Sequence, residues 1–236
     1  MHKTFDTSAP ITLYVELRAG ALDVTAADTA QTAVEIRGDA LDVTVEQRGD
    51  RVVVVAPSRK SGFLRSSSEY DVVVTVPADS ALVAKLGSAD LVASGRLGEG
   101  RITSGSGDVR VEAFGGGATV RTGSGDVTVG TAAGPLHVVT ASGDTSLEEG
   151  VADVTVASAS GDVHVAGFRR GALQVKNVSG DVHLGVPPRV PVWTDVRSVS
   201  GSVASGLESR GEPADGQDYI EIRATTVSGD IRLEQL

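Results

Sequence analysis

Between Asp90 and Leu184 apolar and polar residues alternate in short runs, and each run stops at Gly, Ser or Pro. In residues 126–143, Val127-Thr128-Val129 alternates, Gly130 to Pro135 interrupts, Leu136-His137-Val138 alternates again, and Ala141-Ser142-Gly143 turns. A period of two places successive side chains on opposite faces of a β-strand. Each unit therefore predicts two strands and two turns. The first strand supplies Val109 and Val111, Val127 and Val129, Val163 and Val165, Val182 and Leu184, and Ile231 and Leu233. The second supplies Ile102, Val120, Val138, Val156, Val175 and Val196, with Leu136, Val154, Leu173 and Ile222 in the next inward column. Two facing apolar columns predict a thin dry core, about 10 Å across.

The units recur on a marker. Ser106-Gly107-Asp108-Val109 returns at Ser124, Ser142 (with Thr145 in the valine position), Ser160, Ser179 and Ser228, while Ser88-Ala89-Asp90-Leu91 and Ser200-Gly201-Ser202-Val203 are variants. From Ser88 to Ser160 the step is 18 residues. A short fixed period signifies a solenoid, in which each repeat buries its apolar face only by stacking on its neighbours. The predicted fold is an all-β, single-stranded β-solenoid with about 18 residues and two strands per coil. The usual hand of parallel crossovers makes it a right-handed β-helix. The glycine after each serine suits a corner that needs positive φ, and the aspartate after it can accept from turn amides. A left-handed hexapeptide helix fails, because stepping by six from Val109 reaches Gly115 and Arg121. A propeller would make alternate repeats differ, and they do not.

One domain, 1–236, is expected. Residues 81–236 form the regular coils, and residues 1–80 form less regular capping coils. In the latter, Ile11–Leu17, Thr32–Ile36, Leu41–Glu46, Arg51–Val55 and Tyr70–Val76 read as strands, and Gly20–Val24 reads as a decayed repeat. Residues 58–68 and the insertion at 205–218 resist strand assignment and are expected to be loops.

Composition narrows function mainly by exclusion. Aromatics are 3% of the 236 residues and there is no cysteine, which excludes disulfides and thiolate metal sites. A net charge of −10 argues against nucleic acid as partner. Met1 to Asp6 contains no signal-peptide core, and no apolar run reaches a membrane-spanning length, so a cytoplasmic location is expected. A trimmed start would instead fit a secreted or surface protein.

Tyr70-Asp71-Val72-Val73-Val74-Thr75-Val76-Pro77 followed by iterated Ser-Gly-Asp-Val resembles the bacterial "putative adhesin" domain of unknown function, number 4097 of that series, from about Thr12 to Leu233. The resemblance implies a β-solenoid and brings no catalytic residues with it.

Four constellations invite a chemical reading. Asp90, Asp108, Asp126, Asp144, Asp162, Asp181 and Asp230 form a column resembling calcium repeats, but their spacing differs from the nonapeptide pattern. A turn-capping role is expected, with repulsion between stacked carboxylates relieved by salt. His164 and His183 share a repeat position at a separation that would suit zinc, but a third ligand is missing. Ser104, Thr122, Thr140, Ser158, Asn177, Ser198 and Thr226 read as a ladder hydrogen-bonding between coils, without partners for nucleophilic catalysis. Arg59 to Arg65 is a short basic loop that reads as solvated.

No catalytic, cofactor or metal residues are assigned, and no cofactor is expected. The predicted role is a non-enzymatic, adhesin-like binding or scaffolding module presenting long acidic faces to an unknown protein or glycan. The alternatives are an enzyme acting on envelope polysaccharide, which the single Trp193 and tight turns disfavour, and a unit stacking end to end through Asp230–Leu233. A monomer or weak end-to-end oligomer is expected.

Overall fold

The computed structural model describes residues 1–38, 42–56, 70–207 and 219–236. Its elements are β-strands throughout. The N-terminal part forms β1 (His2–Asp6), β2 (Thr12–Leu17), β3 (Gly20–Ala27), β4 (Gln31–Arg37), β5 (Thr44–Arg48), β6 (Arg51–Val55) and β7 (Tyr70–Pro77). The repeats form β8 (Ala81–Leu86), β9 (Asp90–Leu97), β10 (Gly100–Ser104), β11 (Val109–Phe114), β12 (Ala118–Ser124) and β13 (Val127–Ala132). They continue as β14 (Leu136–Ser142), β15 (Thr145–Gly150), β16 (Val154–Ser160), β17 (Val163–Phe168), β18 (Gly171–Ser179) and β19 (Val182–Val186). Last come β20 (Val192–Ser200), β21 (Val203–Ser205), β22 (Ile220–Ser228) and β23 (Ile231–Gln235).

These strands build a 12-stranded and an 11-stranded sheet. From β8 to β19 consecutive strands alternate between the sheets, and as far as β17 each pairs in parallel with the strand two places on. Val109 lies beside Val127, Val127 beside Thr145 and Thr145 beside Val163, so equivalent positions stack. The predicted inward columns are buried, apart from Val196. Each valine moved from water into such a core contributes about 1.5–3 kcal/mol. Leu97, Phe114, Ala132, Gly150 and Phe168 share a corner column. There a Cβ on Gly150 would sit 2.9 Å from the Phe168 ring, so the glycine makes room for the aromatic.

The corners explain why glycine recurs in the Ser-Gly-Asp turns. Gly143 has φ of 120°, and a Cβ on it would lie 2.4 Å from the carbonyl oxygen of Gly125 in the preceding coil. Backbone stacks on backbone there, which only glycine permits.

At the N-terminal end β6 and β7 extend the two sheets in parallel beyond β2 and β3. Antiparallel strands then finish them: β5 on β6, β4 on β7, and β1 on β4. Val34, Ile36, Val43 and Val45 are buried in this cap. Strand β1 has no sequence signal beyond Phe5, and β5 starts at Thr44 rather than Leu41, with 39–41 outside the described residues. The expected loop at 58–68 also lies outside them. In the 205–218 insertion, Ser205 ends β21 and 208–218 are not described.

The C-terminal order corrects the sequence reading. Strand β22 lies between β18 and β20, and β23 lies between β19 and β21. The segment Asp230–Leu233 is therefore interior, with Ile231 paired to both Val182 and Val203. Composition gives the reason. Ile220, Ile222, Ala224, Ile231 and Leu233 fill the inward places of the final coil together with Thr226, and all are buried. The coil made earlier in the chain has Thr194 and Ser205 at corresponding places, and it takes the outside. Val196, expected in the core, is half-buried because its strand is outermost.

Candidate functional site

Three surfaces run along the two sheets, and the aspartate corner is the most regular. The backbone amide of Asp108 donates to Asp90 Oδ1 at 2.9 Å, Asp126 to Asp108 at 3.0 Å, Asp144 to Asp126 at 2.9 Å and Asp162 to Asp144 at 2.8 Å. Asp181 continues to Asp162 at 2.7 Å, Asp230 to Asp181 at 2.8 Å, and Ser202 to Asp230 at 2.8 Å. Each carboxylate accepts from the next coil, not from its own turn. The ladder joins coils and gives every carboxylate a dipolar partner, offsetting the expected repulsion. At its end the Ser202 amide, helped by the Ser202 side chain, holds the Asp230 carboxyl below its ordinary range. Among the described residues no three His, Cys, Asp or Glu side chains are placed to share a metal ion.

The hydroxyl column behaves oppositely to its reading. Thr140, Ser158 and Thr226 donate to carbonyls two residues on, in their own turns, and Ser104 bonds both the amide and carbonyl of Gly107. Among the described residues, only Asn177 and Ser198 of this column reach another coil, and Thr122 Oγ1 has no partner. Short side chains satisfy the nearest carbonyl because the next coil's backbone is already bonded in the sheet. His164 and His183 do stand on neighbouring strands, with ring centroids 6.3 Å apart and planes tilted by 56°. Ser146 and Arg232 flank them. The basic loop at 59–65 lies outside the described residues.

The outer face of the 11-stranded sheet was not found from sequence. Its register places Lys85, Thr103 and Arg121 in one column, and Tyr14, Val83, Arg101, Thr119, His137, Thr155 and Gln174 in the adjacent one. The Tyr14 ring lies between Arg51, 5.4 Å away, and Lys85, 5.6 Å away, while its hydroxyl donates to Glu16. Lys85, Arg101, Arg121 and Lys176 are exposed and have no ion-pair partner among the described residues. By contrast, Arg110, Arg169, Arg197 and Arg223 are paired with Asp108, Glu149, Asp195 and Glu221. The chain is acidic in sum, but this face is cationic and rich in hydroxyls, so the expectation of uniformly acidic faces is corrected. Aligning coils on Ile102 and Val120 would have revealed it: Arg101 precedes one and Arg121 follows the other. A shallow groove of about 340 Å³ between Glu148, Glu149, Arg169, Pro187, Pro188 and Leu236 lies elsewhere, its arginine already neutralised by Glu149 at 2.6 Å.

Residues 7–234 match the sequence profile described as Toastrack DUF4097. The chain belongs to that family. The Toastrack likeness extends to solved structures. A protein called a "putative adhesin" from Parabacteroides distasonis superposes with a TM-score of 0.59 at 12% identity, covering 99% of this chain and 96% of that one. Another so named, from Bacteroides fragilis, gives 0.55 at 14% identity with the same coverage, 99% and 96%. A Parabacteroides distasonis protein called a "putative lipid binding protein" gives 0.54 at 12%, again covering 99% and 96%. At such identities these likenesses show the fold alone. No curated protein matches the chain.

Proposed function

We propose that this Toastrack chain is a non-enzymatic binding module, a single right-handed solenoid domain with coils of about 18 residues. Its binding face is the outer side of the 11-stranded sheet, and its partner is an extended anionic glycan outside the cytoplasm. The observation that carries this reading is the set of cations on successive rungs, Lys85 on β8, Arg101 on β10 and Arg121 on β12, which form no ion pair among the described residues, although Glu16 stands beside Lys85 in the sheet. Leaving exposed cations unpaired on a chain with ten excess acids favours a ligand that brings its own negative charge. Thr103, Thr119, Thr155 and Gln174 lie among and beside them as hydrogen-bonding groups suited to sugar hydroxyls, and Tyr14 offers a ring at one end. Repeats spaced by one strand let a polymer meet the same chemistry several times, so weak contacts add. The adhesin names of the structural relatives accord with such a role.

The test is retention of the full chain on immobilised polygalacturonate against neutral dextran. Binding is expected to polygalacturonate only, to weaken with added salt, and to be lost in the triple variant Lys85→Ala, Arg101→Ala, Arg121→Ala. Equal retention by both polymers, or by the triple variant, sinks the reading. Shortening of the polymer during incubation would favour a polysaccharide-cleaving enzyme instead.

A further inference from the structure

We propose that the C-terminal edge formed by β20 and β21 is a docking surface for a second copy of this chain, giving a closed, twofold dimer. Among the described residues the edge is the end of both sheets, since β20 pairs only with β22 and β21 only with β23. Exposed apolar side chains lie on these two strands: Trp193 is 49% exposed, Val203 48%, and Val199, at 79%, is more exposed than its counterparts Val178 and Val227 on the inner coils. Beneath them Val192 and Val196 are only half-buried.

What selects a second copy is the sequence of β20 itself. Laid antiparallel on its own image about Val196, the strand brings Asp195 opposite Arg197 and Arg197 opposite Asp195. Trp193 then meets Val199 on the outer face, while Thr194 meets Ser198 and Val196 meets Val196 on the inner face. Opposite charges, an aromatic with a β-branched residue, and paired hydroxyls are the favourable cross-strand combinations. The backbone agrees. The amide of Ile220 donates to the carbonyl of Pro191, so odd-numbered residues in the first part of β20 bond to β22, until the alternation shifts at Ser200, whose carbonyl accepts from the Gly229 amide. The backbone groups of Val192, Thr194 and Val196 then point off the edge, so the twofold axis falls on a hydrogen-bonded pair. Each protomer's Asp195 and Arg197 are already aligned 2.9 Å apart along the strand, which presents the charges in order.

A twofold contact is isologous and closes on itself. The opposite end is finished by antiparallel strands, so growth is expected to stop at two copies. The dimer would also place two cationic faces in one continuous sheet, although this inference does not depend on glycan binding.

Sedimentation velocity of the full chain between about 1 and 100 µM provides the test. The expected result is a doubling of mass with concentration. Arg197→Asp and Asp195→Arg, each facing like charges across the axis, are expected to stay monomeric. The double swap, Asp195→Arg with Arg197→Asp, is expected to restore the dimer. Circular dichroism and melting of each variant report folding separately, and either single swap suffices if the other fails to fold. A monomer at every concentration overturns the proposal and leaves the edge to residues 208–218 or to another protein. A dimer indifferent to both single swaps overturns it too, as does a folded double swap that stays monomeric.

Discussion

One pair of sheets is finished in two ways. At the N-terminal end the coil rule is abandoned: β4 and β5 run antiparallel to their neighbours, and Val34, Val45 and Val54 are buried. The Lys3 ammonium and the N-terminus also donate to backbone carbonyls of Val45 and Ile36, tying β1 down. At the C-terminal end the rule persists to the last strand, which keeps its parallel register with Val196 half-buried and Trp193 and Val199 exposed. The difference teaches that an open solenoid is closed by breaking its repeat, because a further copy of the repeat only presents a further edge. Of the last two coils, the one with the more polar inward column sits at the open end, even though the chain makes it before its inner neighbour.

The largest contrast is expected at glycines. Gly143→Ala in the regular coils forces a side chain at φ of 120° and 2.4 Å from a carbonyl oxygen. It is expected to cost more than about 3 kcal/mol or abolish folding. Gly206→Ala beyond β21 meets nothing nearer than 3.5 Å and is expected to change stability by less than about 0.5 kcal/mol. Chemical denaturation of both variants checks this, and equal costs would show that the open end is packed as tightly as the middle. Next come valines at the two ends. Val54→Ala, in the cap, is expected to cost about 2–3 kcal/mol through lost transfer and a cavity, and Val196→Ala less than about 1 kcal/mol. A large loss at Val196 would mean that its strand is covered in solution, and if that loss grows with protein concentration the cover is a second copy.

Much of this architecture was legible in the sequence because a solenoid repeats its local physics. The inward valines had to align, and burial agrees everywhere except Val196. What the repeat alone cannot encode is the spatial order of its coils. Asp230 follows Ser202 in the chain but lies between Asp181 and Ser202 in the ladder. That order follows from comparing how apolar two coils are, not from counting residues. The cationic face was hidden for a related reason: Arg101 and Arg121 occupy different offsets in their repeats and become neighbours only through register. Strand β1 gave no signal because its hydrogen bonds to β4, not apolar burial, hold it in place.

A smaller effect concerns the middle coils as a reference for both ends. Thr145 stands in the inward column between Val127 and Val163, 3% exposed, with its hydroxyl unpartnered. Thr145→Val removes a buried polar group at nearly constant volume and is expected to stabilise by about 1 kcal/mol. In a solenoid, neighbouring coils unfold together only as far as their interfaces couple them. A calorimetric scan should therefore show one transition moving upward if the ends are firmly coupled. An early shoulder that Thr145→Val leaves in place would identify a C-terminal coil melting separately.

Acid and salt together give the finest distinction. In the cap, hydrogen bonding and charge from Arg37 hold the Glu35 carboxyl below its ordinary 4.5, and Glu35 raises Arg37 in return. At the open end the Ser202 amide, then its side chain, holds Asp230 below 3.8. Both carboxyls bind protons more weakly folded than unfolded. Their stabilisation is therefore full above the ordinary values and is lost as pH falls through the lowered ones. Both pairs are open to solvent, so the effect is expected as a modest drop in melting temperature below about pH 4. Their salt responses should differ. The Glu35–Arg37 pair is a surface ion pair 2.9 Å apart that molar sodium chloride screens. The bond from the Ser202 amide to Asp230 is a short dipolar contact fixed by the sheet, which salt leaves largely in place. Melting curves of Glu35→Gln and Asp230→Asn at pH 7 and pH 3, each with and without salt, separate the two. Salt is expected to erase the difference between wild type and Glu35→Gln at pH 7 but to preserve that between wild type and Asp230→Asn. If salt erases both, the aspartate ladder is held by net charge rather than by the stacked backbone, and the two ends are closer in their physics than their topology suggests.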